Sequence, residues 1–126
     1  MFSHVMLGAN DIEGSKRFYD AVLGTLGHKP GILSQDRYFY RSPTGVLALT
    51  KPLDGGTATG ANGGTVGFIA KSTEEVDQFY SVGVANGGSD CEGTPGFRDG
   101  VAGKVYITWL RDPAGNKICA MHRVPK

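Results

Sequence analysis

Cys119 lies near the end of the stretch "WLRDPAGNKICAMH", Trp109 to His122. A thiol there is a small core residue, a metal ligand or, once deprotonated, a nucleophile. The stretch reads as a strand, a tight turn and a second strand. Cys119 and His122 are three apart, so on a strand they point to opposite faces and do not form a pair. Cys91 is the other cysteine, and the two lack the C-x-x-C spacing of zinc or redox sites. A reducing cytosol tells against a disulfide between them. His28 follows Gly27, where a helix is expected to stop, which predicts an exposed side chain. No Ser-His-Asp arrangement stands out, and Asp11, Asp20 and Asp36 read as caps or turn residues. "LDGGTATGANGG", Leu53 to Gly64, is not a phosphate loop. It lacks a Gly-Lys-Ser/Thr ending, and a strand rather than a helix follows it. Arg98, in "PGFRDG", could reach a carboxylate or phosphate on a ligand, or pair with Asp99 in a solvated loop.

The elements that position these residues belong to one domain. The chain has 126 residues, enough for a single core, with 40% hydrophobic and 20% charged residues. Its net charge is +1 and no cluster of Lys and Arg is expected to line a face, so neither nucleic acid nor an anionic membrane is expected as a partner. The start, "MFSHVMLGAND", lacks the basic and apolar regions of a signal peptide. No run approaches the roughly 20 apolar residues of a membrane helix. The expected location is the cytoplasm. The 20 glycines sit at segment ends and in loops, as in a chain of short strands and many turns.

The chain reads as two copies of one unit. Set "SHVMLGANDIEGSKRFYDAVLGTLG" from Ser3 against "GTVGFIAKSTEEVDQFYSVGVANGG" from Gly64. His4-Val5 then falls on Thr65-Val66, and Phe18-Tyr19 on Phe79-Tyr80. Each copy begins with an apolar strand that leads into a helix. In the second helix Ser72 is the expected cap, with Glu75 completing a capping box, and Val76, Phe79, Tyr80 and Gly83 share one face. In the first, Asn10 or Asp11 caps, and Tyr19, Val22, Leu23 and Leu26 form the matching face. Gly27 and Gly87-Gly88 supply left-handed stops. The copies also end alike: "RSPTG" and "RDPAG" each join two strand-like runs rich in aromatic and β-branched residues. Cys91 to Lys104 reads as an insertion in the second copy. Module 1 covers about residues 1–53, a mobile linker 54–63, and module 2 about 64–126.

With these features the chain resembles the vicinal oxygen chelate superfamily, which groups glyoxalase I, bleomycin-resistance proteins and extradiol dioxygenases. "HVMLGANDIEGSKRFYDAVLGTLG" is similar to that family's opening strand, helix and glycine stop. "RDPAGNKI" is similar to its Asp-Pro-x-Gly-Asn turn before the last strand, and the repeat extends the likeness over the whole chain. The resemblance implies an α+β fold of two βαβββ modules forming a half-open, barrel-like sheet with a central cleft. It implies a homodimer and a small-molecule ligand. In metal-using relatives, ligands lie on the opening and closing strands of each module. Carried onto this chain, those positions are His4, Ala48 (or its neighbour Leu49), Thr65 and Cys119, the last standing where relatives often carry glutamate.

That donor set is poor. A hydroxyl such as that of Thr65 is a weak neutral donor, and Ala or Leu donates nothing. Catalytic zinc normally takes three protein ligands, and octahedral oxygen sites take several carboxylates. A second chain would bring only the same four positions. The metal site is therefore expected to be degenerate, and no cofactor is expected. The same geometry would bring Cys119 and His4 near the cleft, where a thiolate beside an imidazole can be an activated nucleophile; the alternative is a buried, inert thiol. Tyr38 and Tyr40 share one face of a strand. Tyr106, Thr108 and Leu110 share one face of a later strand, with Ile107 and Trp109 on the other. Some of these aromatics are expected to line the cleft, with Tyr38, Tyr40 and Trp109 joining His4, Thr65, Arg98 and Cys119 as cavity candidates. Three readings stay open: a small-molecule binding protein with a degenerate metal site, a glyoxalase-like lyase or isomerase or a dioxygenase with an atypical ligand set, and a structural or regulatory dimer.

Overall fold

A computed structural model describes all 126 residues. The first module runs β1 (Val5–Gly8), α1 (Ile12–Thr25), β2 (Ile32–Ser34), β3 (Arg37–Ser42) and β4 (Gly45–Thr50). The second runs β5 (Val66–Ile69), α2 (Thr73–Ala85), β6 (Ser89–Asp90), β7 (Gly96–Gly100), β8 (Gly103–Arg111) and β9 (Lys117–Arg123). The first sheet has the order β1-β4-β3-β2 and the second β5-β9-β8-β6, with β7 also on β8. In each module the opening strand lies parallel to the closing one, β1 on β4 and β5 on β9, and the other pairs are antiparallel. This is the α+β, two-module architecture that the repeat predicts, with neither sheet closed on itself. The segment read as an insertion supplies β7, whose hairpin with β8 extends the second sheet.

The helix ends follow their side chains. Asp11, not Asn10, caps α1 by accepting from the Gly14 amide. Ser72 caps α2 by accepting from the Glu75 amide, while the Glu75 carboxylate reaches back one residue further than a standard box, to the Lys71 amide. At the other ends Gly27 and Gly87 take the left-handed conformation (φ +91° and +99°), which a Cβ would strain. The amides beyond them close on Leu23 and Gly83.

One core of 15 buried residues joins both helices to one face of each sheet. Phe18, Tyr19, Val22 and Leu23 of α1 meet Tyr38, Tyr40, Leu47 and Leu49 of the first sheet. Val76 and Phe79 of α2 meet Leu110, Ile118 and Ala120 of the second. The helices also pack on each other. Gly83 is part of the reason: a Cβ there would meet Leu110 and also Val22 of α1. Each sheet thus has a helix-covered face turned inward and an uncovered face on the outside.

The "RDPAGN" turn ties the modules together. The Asp112 carboxylate, 4% exposed, accepts from the Tyr19 hydroxyl (2.7 Å), the Asn116 side-chain amide (2.9 Å) and the backbone amides of Ala114 and Asn116. Asn116 also donates to the Gly8 carbonyl at the end of β1. Burial, and then Asp112, push the Tyr19 hydroxyl well above its ordinary value, so it stays a donor. The segment read as a free linker is anchored at its middle. Ala58 is buried and both of its backbone groups bond the Asn10 side chain. Gly60 lies so close to the Gly115 carbonyl that no side chain fits.

Candidate functional site

The uncovered faces are read off the register. Val5 and Leu7 of β1 pair with Leu47 and Leu49 and join the core, so His4 and Met6 turn outward. Met6 pairs with Ala48, and Ala48 with Phe39 of β3. On the second sheet Val66 and Phe68 turn inward, and the outward row runs Gly67, Cys119, Trp109. Ile107 and Met121 form the next row. Cys119, Val105 and Ile107 make a small apolar cluster there with Trp109 and Met121. As the alternation predicts, Tyr106, Thr108 and Leu110 face the other way; the Tyr106 hydroxyl donates to Asp77 of α2.

The four positions implied by the resemblance divide between the two sheets. His4 and Ala48 belong to the first, Thr65 and Cys119 to the second. His4 is exposed and its Nδ1 lies 2.8 Å from the Ser3 hydroxyl. Thr65 is exposed, and Ala48 is fully buried between its strand neighbours. Cys119 is 8% exposed, packed beside Trp109, with its sulfur over Gly67, where a Cβ would come within 3.1 Å. Burial pushes the Cys119 thiol up, and the opposing pull of Lys117 and the Phe68 amide is smaller. At neutral pH the group is a thiol, a poor nucleophile and a poor ligand. No hydrogen bond joins it to His4, and no group of three or more His, Cys, Asp or Glu side chains is arranged to hold a metal ion.

The remaining candidates fall in two places. Trp109 and Arg98 lie on the uncovered face of the second sheet, the guanidinium 5.6 Å from the centre of the indole. Arg98 therefore does not pair with Asp99, which sits on the opposite side of β7. Tyr38 and Tyr40 share a face, as expected, but it is the face against α1. The Tyr38 hydroxyl donates to Glu13 and that of Tyr40 to Asp20 and the Lys16 carbonyl. Tyr40 and His4 border a mainly apolar cavity of about 320 Å³ lined by residues of β1, β4 and β5, with Leu23 and His28 also in its wall. His28 is half-buried there rather than exposed, because the Schellman bond from its amide to the Leu23 carbonyl folds it back on the helix end. Contrary to the expectation that no Lys and Arg cluster lines a face, the register of β3 and β9 places Arg37, Arg41, Lys117 and Arg123 on the uncovered faces, because pairing gathers cations that are dispersed in the sequence.

The family model for the glyoxalase/bleomycin resistance protein/dioxygenase superfamily matches residues 1–120, and the chain belongs to that superfamily. It is 60% identical to a glyoxalase/bleomycin resistance protein from Albidiferax ferrireducens, with 98% of this chain and 99% of that one covered and a TM-score of 0.95. A glyoxalase-related enzyme from Fulvimarina pelagi is 22% identical (98% and 88% covered, TM-score 0.74). A lactoylglutathione lyase from Agrobacterium tumefaciens is 22% identical (97% and 92% covered, TM-score 0.63). The last two show the fold alone. No curated protein matches the chain.

Proposed function

We propose that this chain is a small-molecule binding protein of the superfamily, working as a homodimer without a catalytic metal. The observation that carries the reading is the donor set: one exposed imidazole, one buried neutral thiol, a hydroxyl and a methyl group at His4, Cys119, Thr65 and Ala48. Three strong donors are the ordinary minimum for catalytic zinc, and this set supplies at most two. The dimer reading rests on the packing. Both helices lie between the sheets, so the uncovered faces of one chain do not enclose a common cleft. Each leaves large apolar side chains in water, Met6 on the first sheet and Ile69 on the second among them. A second copy setting its first sheet opposite the second sheet of its partner would cover both and build two equivalent clefts. His4, Ala48, Thr65, Arg98, Trp109 and Cys119 lie on the faces that such a cleft would use.

Thermal melting with EDTA and with added zinc, nickel, manganese or iron tests the metal part, because a ligand that favours the native state raises its stability. The reading expects no change in either direction. A melting point that falls with EDTA and is restored by one of the metals would overturn it. A panel of small molecules in the same assay separates a binding protein from a purely structural dimer, whose melting point none of them would move.

A further inference from the structure

Charge on this molecule is segregated by face. The uncovered sides of the strands carry Arg37, Arg41, Arg98, Arg111, Lys117 and Arg123, and no strand residue on those sides is acidic. The two acidic residues within strands, Asp90 and Asp99, pair with Leu110 and Lys104 on the helix-covered side. Of the six cations Lys117 alone is paired, with Glu92. Arg98 and Lys117 both lie over the Trp109 ring, at 5.6 and 5.9 Å. Beneath them are the neutral Cys119 thiol and Gly67.

We propose that the uncovered face of the second sheet recognises a small organic anion with a flat apolar body. Trp109, with Ile107 and Met121 beside it, is the platform for the body. Arg98, which has no carboxylate partner, is the partner of the anionic group, while Lys117 over the same ring is already held by Glu92. The inference rests on the small-molecule reading above and names the ligand class of that site. The physical basis is the sign of the field. A free guanidinium above an apolar floor, with no carboxylate to neutralise it, attracts an anion and offers it a two-pronged hydrogen bond. A carboxylate at the Cys119 position would make the same site attractive to a cation; the un-ionised thiol that stands there exerts no such attraction and leaves Arg98 in control.

Trp109 is the chain's one tryptophan, so its fluorescence reports on this site directly. The experiment titrates the intact protein with phenylacetate, its uncharged twin phenylacetamide, and the cation benzylamine, following Trp109 emission at low salt and again near 0.5 M salt. Phenylacetate is expected to quench the emission saturably and to bind at least tenfold more tightly than phenylacetamide, with benzylamine weakest. Its affinity should fall severalfold in high salt, as screening predicts. Arg98→Gln, at an exposed position, should reduce phenylacetate affinity about tenfold and leave phenylacetamide unchanged, with folding checked by circular dichroism. Equal binding of phenylacetate and phenylacetamide, tighter binding of benzylamine, an unaltered Arg98→Gln variant, or no binding by any of the three would each overturn the proposal. Binding of the neutral or cationic probe alone would leave the small-molecule reading standing while the anion inference fails.

Discussion

Replacing Tyr19 with Phe removes one hydroxyl and leaves the packing of the ring intact. That hydroxyl is buried in the contact between the modules, 2.7 Å from Asp112. A hydrogen bond to a charged acceptor contributes about 1.5–3 kcal/mol. Asp112 keeps three other donors in the variant, from Ala114 and from the backbone and side chain of Asn116, so a loss of about 2 kcal/mol is expected. In a domain of this size that lowers the melting temperature by roughly 8 °C. Asp112→Ala strips the acceptor from all four donors and loosens Asn116, which holds the Gly8 carbonyl. Its cost should reach about 4 kcal/mol, a large part of the roughly 5–15 kcal/mol that holds a domain folded. Urea unfolding of the single variants and of the double variant forms a cycle, and the two residues should couple by about 1 kcal/mol or more. Additive effects, with Tyr19→Phe costing less than about 0.5 kcal/mol, would show that "RDPAGN" is an ordinary surface turn and not a tie between modules.

The remaining predictions concern charge, thiols and the linker. Burial acts to raise the Asp20 carboxyl, but Lys16, the Gly31 amide and the Tyr40 hydroxyl outweigh it and hold it below the ordinary value. A depressed folded-state value stabilises fully above about pH 4 and is lost as the pH falls through the folded value. The stability difference between wild type and Asp20→Asn, measured in urea, should therefore shrink on acidification below about pH 4; a constant difference would contradict the assignment. Iodoacetamide should modify the half-exposed Cys91 first and Cys119 much more slowly, because burial keeps the latter covered and protonated; equal rates by mass spectrometry would refute the buried thiol. Gly60→Ala should dislodge the linker from the Gly115 carbonyl and open residues 54–63 to limited proteolysis, whereas the wild type resists cleavage there.

The alternation of apolar residues and the capping side chains were legible in the sequence, and so the two modules were too. Val76, Phe79 and Gly83 face the core as their spacing predicts, and Ile107 and Trp109 lie opposite Tyr106 and Thr108. What the sequence could not carry was contact between distant segments. Asn10 was one of two equal caps until Ala58, 48 residues away, claimed its side chain. The glycine-rich linker looked free because nothing local reveals that Gly60 abuts Gly115. The alternation of Tyr38 and Tyr40 puts them on one face, but which face meets α1 depends on the register with β4. The basic uncovered faces were invisible for the same reason. Arg37, Arg98 and Arg123 are far apart in the chain, and only sheet pairing gathers cations of this kind onto faces that no helix covers.

The most direct test of the account is the metal content of the protein purified without a histidine tag, with His4→Ala and Cys119→Ala prepared alongside. The account predicts well under one equivalent of zinc, nickel, iron or manganese in all three samples. About one equivalent in the wild type, lost from both variants, would contradict it and make His4 and Cys119 ligands of a working metal centre.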